Sequence, residues 1–465
     1  MSWSLMLMLG IFISATLLIT FWQASSIGQD LVSDEAYAAG KDQLLPATIW
    51  WHAPFYSGGG YSSEAVAFML AMWNSPALSR KRLWVAQHGD GFNKDAYDAL
   101  APAARSDLKS MEGGHLSKAK GPLVIVCHSE PGAWSVPNFE WGSPNNCPPN
   151  NLQPGQAFLV GRTMFETDRL SPERERRCNA MDEIWVPTEF HRQVFADSGV
   201  KADKLHVVPE PVDVDFFNPK GVTPLELPLG KLVFGRARSE AKTVAFLSIF
   251  KWELRKGWDV LLAAYLGQFT AADNVALYMK TSPYHSDSNF GDHMRKWATE
   301  HLPASDGLDM DSLPTVYVID ENMAQDRLRR LYTSADCFVL PSRGEGWGRP
   351  HVEAMSMGLP VIATNWSGPT AFLDEEVGYP LAIDGLESVE DKGAFEGHMW
   401  AAPSVQHLKQ LMSHVVQNRK QAQKKGRAAR ASMIKRFAPP VVAQQIIAEF
   451  WRIEKERAQR EGPAA

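Results

Sequence analysis

Two glutamates eight positions apart, Glu345 and Glu353, lie in the segment CFVLPSRGEGWGRPHVEAMSMGLPVIAT (337–364). An apolar run ends at Pro341 and a glycine-rich loop follows; Pro350 then suits the first helical position and Gly358 the position after the last turn. One carboxylate therefore precedes a helix and the other sits in its first turn. Gly344, Gly346 and Gly348 leave backbone N–H groups accessible at the positive helix end, a site for anionic or hydroxyl-rich ligands. Acidic residues near a helix start are ordinary as caps, but a glycine run with two separated glutamates and flanking strands exceeds what capping needs. A second cluster, SIFKWELRKGWDVLLAAY (248–265), runs a strand into Lys251, Arg255 and Lys256 before Gly257 opens an apolar helix. Three cations between a strand and a helix form a clamp for phosphate oxygens; fully solvated, they would be only a basic turn.

Something must hold these groups in register. The body of the chain alternates short apolar runs with helical patterns, the signature of parallel α/β architecture. Strands are expected over 48–51, 83–87, 123–127, 157–160, 183–186 and 205–208, then over 243–249, 275–280, 315–319, 337–340 and 360–363. Leu328, Leu331, Tyr332 and Ala335 mark an amphipathic helix, and Val442, Ile446, Ile447, Phe450 and Trp451 mark another. The Pro-, Gly- and charge-rich stretch 218–239 reads as the domain boundary, and 137–154 as a long functional loop. The resulting division is an N-terminal Rossmann-like domain over 46–235, a C-terminal one over 236–438 and a crossover helix over 439–458. Two doubly wound domains place the ligand crevice at the carboxyl ends of their strands.

At Glu345-Gly-Trp-Gly-Arg-Pro-His-Val-Glu353 the sequence resembles the retaining family-4 glycosyltransferases (glycosyl transferases group 1) of GT-B fold, whose signature is two glutamates flanking seven residues. The resemblance implies that Glu345 and the amides of Gly346, Trp347 and Gly348 hold the hydroxyls of a donor sugar, and that Glu353 holds the ribose. Arg349 and His351 replace the apolar residues usual in that loop, so the donor sugar does not carry over. Similar enzymes place an Arg and a Lys five apart to bind the leaving diphosphate; here the pair is Lys251 and Lys256, and Arg255 is placed to share the role. Ser367 and Gly368, in SGPT, resemble the diphosphate-facing loop, where Ala371 replaces a Glu of many relatives.

The first half adds weaker signals. Gly58, Gly59 and Gly60 precede a helix carrying Glu64; this is not the dinucleotide fingerprint, but it resembles the family's loop at the donor phosphates and acceptor. His128 stands at a strand's carboxyl end. A lone histidine is more often structural, yet strand ends are where open α/β sheets bind ligands, and the resemblance implies a place near the reacting sugar. Glu166 and Asp168 follow another strand and are candidate acceptor contacts. The stretches 183–188 and 207–217 resemble late strand exits of the family's first domain. Asp213-Val-Asp215 fits a DxD metal motif, but its place at the end of the first domain reads as structural, and no essential metal or cofactor is expected. The sequon Asn365-Trp-Ser367 falls where a glycan would obstruct the cleft, so it is expected to be unmodified.

Length and composition bound the remainder. The 465 residues exceed one ordinary domain, with 45% hydrophobic and 22% charged residues. A net charge of −6 argues against a nucleic-acid partner. Cys127 and Cys337 read as buried small residues, while Cys147 and Cys178 could pair in an oxidising lumen. Residues 3–22 carry no ionisable side chain, long enough for a helix to cross a bilayer, and no basic residue precedes them as in a signal peptide. A transmembrane anchor over 1–23 and a stem over 24–45 are expected, in a single-pass type II arrangement facing the Golgi or endoplasmic reticulum lumen. Together these readings point to a membrane-anchored, retaining, metal-independent transferase of a nucleotide-diphosphate sugar onto a glycan, glycolipid or glycoprotein. The alternatives are a degenerate glycan or nucleotide-sugar binder and a sugar phosphorylase.

Overall fold

A computed structural model describes residues 44–136, 146–237, 243–284, 286–302, 309–390 and 395–461. The expected anchor (1–23), nearly all of the stem and part of the 137–154 loop lie outside them. Among the described residues no helix is long and apolar enough to cross a membrane.

The first lobe is built on β1 (Thr48–Ala53), β2 (Leu83–Gln87), β3 (Leu123–His128), β4 (Phe158–Arg162), β5 (Glu183–Val186) and β6 (Leu205–Val207), in the order β2-β1-β3-β4-β5-β6. All are parallel, with Trp51 opposite Val126 and Cys127 opposite Gly161. β1 and β3 are buried along their whole length, as a sheet covered by helices on both faces requires. Those helices are α1 (Gly60–Trp73), α2 (Lys94–Ala99), α3 (Pro102–Met111), α4 (Pro172–Ala180) and α5 (Glu189–Asp197).

The second lobe carries β7 (Lys231–Phe234), β8 (Val244–Trp252), β9 (Val275–Pro283), β10 (Thr315–Ile319), β11 (Cys337–Leu340), β12 (Val361–Thr364) and β13 (Tyr379–Leu381), in the order β13-β12-β11-β8-β9-β10-β7. Only β7 runs antiparallel, against β10. The covering helices are α6 (Trp258–Gln268), α7 (Phe290–His301), α8 (Gln325–Ser334), α9 (Arg349–Ser356), α10 (Val405–Gln417) and α11 (Arg419–Phe437). An antiparallel ribbon, β14 (Ile383–Ser388) with β15 (Met399–Pro403), stands apart from both sheets.

Three features differ from the sequence reading. The 218–239 stretch holds β7, an edge strand of the second sheet, although the expected division at 235/236 puts it in the first domain. Two of its four residues, Lys231 and Leu232, are exposed, so it lacks the apolar run that marks the inner strands. The core changes over earlier: Val208 packs in the first-lobe core and Val212 in the second. The ribbon has no counterpart among the expected strands. Finally, Cys127, read as a lone buried residue, forms a disulfide with Cys147, and Cys178 is free and buried. The C-terminal helix α12 (Pro439–Glu461) returns to the first lobe. Its Val442, Ile446, Ile447 and Phe450 are buried in one core with Trp51, Phe68 and Trp185.

Candidate active site

The cations and the first glutamate meet. β8 ends in a tight turn, Leu254–Lys256, closed by Gly257 at φ +66°. A Cβ there would also sit 2.0 Å from the Pro341 carbonyl oxygen, so two strand exits cross with only glycine between them. This crossing sets Lys256 against the loop after β11. Lys256 Nζ donates to both Glu345 oxygens, at 2.9 and 2.8 Å, and Arg255 Nη1 lies 3.5 Å from Oε2. Burial pushes the Glu345 carboxyl upward, but Lys256, then Arg255 and His351, hold it down to about 2. Arg255 also donates to the Gly344 carbonyl and to Glu253 and lies 3.6 Å from Glu166 of the first lobe. Lys251 does not join them: it is exposed, with its ammonium 5.2 Å above the Tyr284 ring. The expected grouping of Lys251 with Lys256 is thus not met, because β8 runs on through Trp252 and Lys251 lies within the strand, before the turn that bears Arg255 and Lys256.

The glycine loop packs directly on the first lobe. A Cβ on Gly344 would fall 2.0 Å from the Glu166 carbonyl oxygen, and one on Gly346 would fall 2.1 Å from Met164 Sδ. Gly348, at φ +113°, precedes α9. Trp347 is buried between Phe372 and Phe437, and its indole N–H makes no hydrogen bond among the described residues. Ser367 is the only non-glycine with positive φ among the described residues, at φ +59°. That strain is held in place by its own contacts: Ser367 Oγ accepts from the Glu345 amide at 2.9 Å, and the Gly368 amide donates to the Glu345 carbonyl at 3.0 Å. The loop after β12 therefore braces Glu345 from behind. Glu353, on α9, accepts from the Tyr332 hydroxyl at 3.0 Å; burial raises its carboxyl, against the pull of Arg349.

In the first lobe, His128 is fully buried. Its Nε2 donates to Glu64 Oε2 at 2.9 Å, and its Nδ1 accepts from Trp51 Nε1 at 3.1 Å, which fixes a neutral tautomer. The Arg162 guanidinium donates to Glu64 Oε1, at 2.8 Å from Nε, and from Nη1 to the Val208 carbonyl at 2.6 Å. The contact with a reacting sugar expected of His128 is not seen in its geometry, since both ring nitrogens are engaged by Trp51 and Glu64. Asp168 likewise turns from acceptor contact to interlobe tie: its amide donates to the Met399 carbonyl at 2.9 Å and its Oδ1 accepts from the Met399 amide at 2.7 Å. Thr167 Oγ1 meets His398 Nδ1 beside it at 2.8 Å. Glu166 stays partly exposed at the lobe junction. Gly59 caps α1, and exposed Gly60 has open space around it.

Asp213 Oδ1 accepts from the amides of Asp215 and Phe216, a turn-forming role. Among the described residues one group of three ligand types, Glu183, His206 and Glu449, brings its atoms within 4.8 Å. Arg452 already donates to both Glu183 oxygens at 2.7 Å there, so a cation occupies the place a metal would need. The sequence reading gave no role to Glu64, Arg162, Glu210, Arg343 or His398. Arg343 joins Asp259 at 2.8 Å from both Nη atoms and pairs with Glu387 of the ribbon, which anchors the loop that bears Glu345. Glu64 and Arg162 are 98 positions apart, and no local spacing links them.

Residues 241–392 match the family described as Glycosyl transferases group 1. The chain is 24% identical over 273 residues to the spore coat protein SA of Bacillus subtilis (strain 168), covering 57% of this chain and 65% of that protein. It is 25% identical over 175 residues to the mannosylfructose-phosphate synthase of Agrobacterium fabrum, covering 38% and 36%. The chain thus spans less than two thirds of either relative. In fold it is similar to Anabaena HepE, solved with UDP and glucose, at TM-score 0.56 and 14% identity over 87% of this chain and 99% of that one. It is likewise similar to sucrose-phosphate synthase from Thermosynechococcus elongatus, at TM-score 0.54 and 14% identity over 88% and 99%.

Proposed function

We propose that this chain, a GT-B fold whose residues 241–392 form a group 1 glycosyltransferase domain, moves a sugar from a nucleotide-diphosphate sugar to an acceptor hydroxyl with retention of configuration. The observation that carries the reading is the contact of Lys256 with both oxygens of Glu345, flanked by Arg255, at the junction of the lobes. A departing diphosphate develops negative charge, and cations held in a water-poor cleft stabilise it without reorganising. Lys256 and Arg255 take that role, helped by the amides after Glu345. Glu345 holds the sugar hydroxyls and Glu353 the ribose. As the bond from the anomeric carbon to the diphosphate oxygen breaks, the acceptor hydroxyl bonds to that carbon from the same face and its proton passes to the departing diphosphate oxygen, which keeps the anomeric configuration. HepE, with UDP and glucose bound, supports a nucleotide-sugar donor.

The reaction in this reading uses no metal, since the two cations already neutralise the leaving group. A thermal-shift panel of UDP-, GDP- and ADP-sugars tests both points. One of them is expected to raise the melting temperature, because a ligand of the folded state alone stabilises it, by about 2.7 kcal/mol at a hundredfold excess over Kd. The shift is expected to be equal in EDTA and in manganese. No shift with any sugar nucleotide would end the reading, and a manganese-dependent one would end its metal-free part.

The acceptor is a glycan, glycolipid or glycoprotein, and no nucleic acid takes part. We place the lobes in the lumen of the Golgi or endoplasmic reticulum, anchored by residues 1–23. The Cys127–Cys147 disulfide supports an oxidising compartment. Thiol trapping of the protein from native membranes is expected to leave both cysteines unlabelled until a reductant is added. Labelling without reductant would move the chain to the cytosol.

A further inference from the structure

The crossing between the lobes carries a carboxylate that the reaction outlined above does not use. Pro209-Glu210-Pro211 lies between Val208, in the first-lobe core, and Val212, in the second. Flanking prolines fix their own φ and hold the preceding residues extended, so Glu210 is presented on a stiff hinge. It is 2% exposed, and its Oε2 accepts from Arg349 Nη1 at 3.4 Å. Arg349 is the first residue of α9, four positions before Glu353 and on the same helix face. The one cation faces two carboxyls that both sit above the usual carboxylate range: burial, then Glu64, raises Glu210 against the pull of Arg349 and Arg162, and burial raises Glu353 against the pull of Arg349. Glu353 accepts from the Tyr332 hydroxyl at Oε2 and is only partly buried. Arg349, one of the residues at which the donor loop departs from the pattern it resembles, thus reaches the hinge between the lobes.

Resting on the sugar-nucleotide reading above, we infer that Glu210 is a positioning residue for the nucleotide end of the donor site. It draws the Arg349 guanidinium to the hinge, which leaves the Glu353 carboxylate to accept hydrogen bonds from the vicinal hydroxyls of a ribose. Without Glu210, Arg349 closes on Glu353 and competes with the ribose. A hinge carboxylate that merely held the lobes together would have no bearing on recognition of the sugar hydroxyls.

Calorimetric titration of the full chain with UDP and GDP and with their 2′-deoxy forms separates the two. Wild type is expected to prefer one of the ribonucleotides to its 2′-deoxy form by about tenfold or more, the scale of one hydrogen bond to a charged group. Glu210→Gln is expected to bring that ratio down to about threefold or less, and Glu210→Gln/Arg349→Gln to regain it, because the released cation is gone. Should Glu210→Gln fail to fold, Glu210→Asp, which keeps the charge but shortens the reach, is expected to show a partial loss. An unchanged ratio in Glu210→Gln, or no recovery in the double variant, overturns the assignment. If wild type binds neither UDP nor GDP, the donor reading itself falls and takes this assignment with it; if it binds one of them without ribose preference, only this assignment falls.

Discussion

Lys256→Ala is expected to lower turnover of whichever nucleotide-sugar the chain binds by about 10²–10³, the effect of removing one preorganised donor at a developing oxyanion. The geometry makes Lys256 the strongest lever in the cleft. Its ammonium is held at 2.8–2.9 Å from both Glu345 oxygens and is 14% exposed, so it acts in a poorly hydrated setting. The variant also strands a carboxylate. Glu345 would keep only Arg255 at 3.5 Å, and a buried charge that loses its partner costs about 3–5 kcal/mol, less whatever Arg255 recovers. Lost activity and lost stability would then be confused in the single variant. Lys256→Ala/Glu345→Gln isolates the stability part: removing the stranded charge is expected to restore the melting temperature towards that of wild type. Lys256→Arg keeps a cation with a different reach and fork and is expected to fall between the two. Wild-type turnover in a folded Lys256→Ala protein would take the cation out of the chemistry.

The same residues show what the sequence can and cannot disclose. Lys256 and Glu345 stand in separate motifs, each marked by glycine and by a neighbouring apolar strand, and their meeting follows from β8 and β11 being adjacent in a parallel sheet. Strand-end chemistry of that kind is legible because the strand, turn and helix signals are all local. Lys251 was misplaced for the same reason: local spacing set it beside the other cations, while the actual length of β8 decides which way it points. His128 was found by its strand end, but its partner Glu64 comes from a helix 64 positions earlier. No periodicity couples those positions; the pairing exists only once α1 covers the sheet. The Cys127–Cys147 bridge was missed likewise, since it is set by how the chain beyond β3 folds back and not by the spacing of the cysteines.

Glu64→Ala is expected to destabilise the first lobe by about 3–5 kcal/mol, a large share of the 5–15 kcal/mol that typically holds a domain folded. Glu64 and Arg162 are both wholly buried, and with His128 they tie α1, β1, β3, β4 and the exit from β6. Burial alone would raise the Glu64 carboxyl, but Arg162 first and His128 second hold it down to about 2. Truncation leaves the guanidinium with a single carbonyl and the His128 Nε2–H with nothing. Glu64→Gln is no milder in kind: its amide can accept from Arg162 only by turning N–H groups on His128, whose ring would then have to present N–H to the Trp51 indole N–H. Glu64→Met/Arg162→Met, which removes both charges, is expected to be less destabilised than Glu64→Met alone. Acid should expose the same lobe. Burial keeps His128 neutral and lowers His52 and His191 to about 3. Below about pH 6.5 the unfolded chain takes up protons at these histidines and the native one does not, so stability falls by up to about 1.4 kcal/mol per histidine per pH unit. The share owed to Glu64 is present above its unfolded value of about 4.5 and is lost only as pH drops through 2. Urea unfolding followed by hydrogen exchange at first-lobe amides, at pH 7.5 and 5, reads both effects. A loss under 1 kcal/mol in Glu64→Ala would mean that this buried chain of charges does not hold the lobe, and a wild-type midpoint that does not move between the two pH values would mean that the buried histidines do not link its stability to pH.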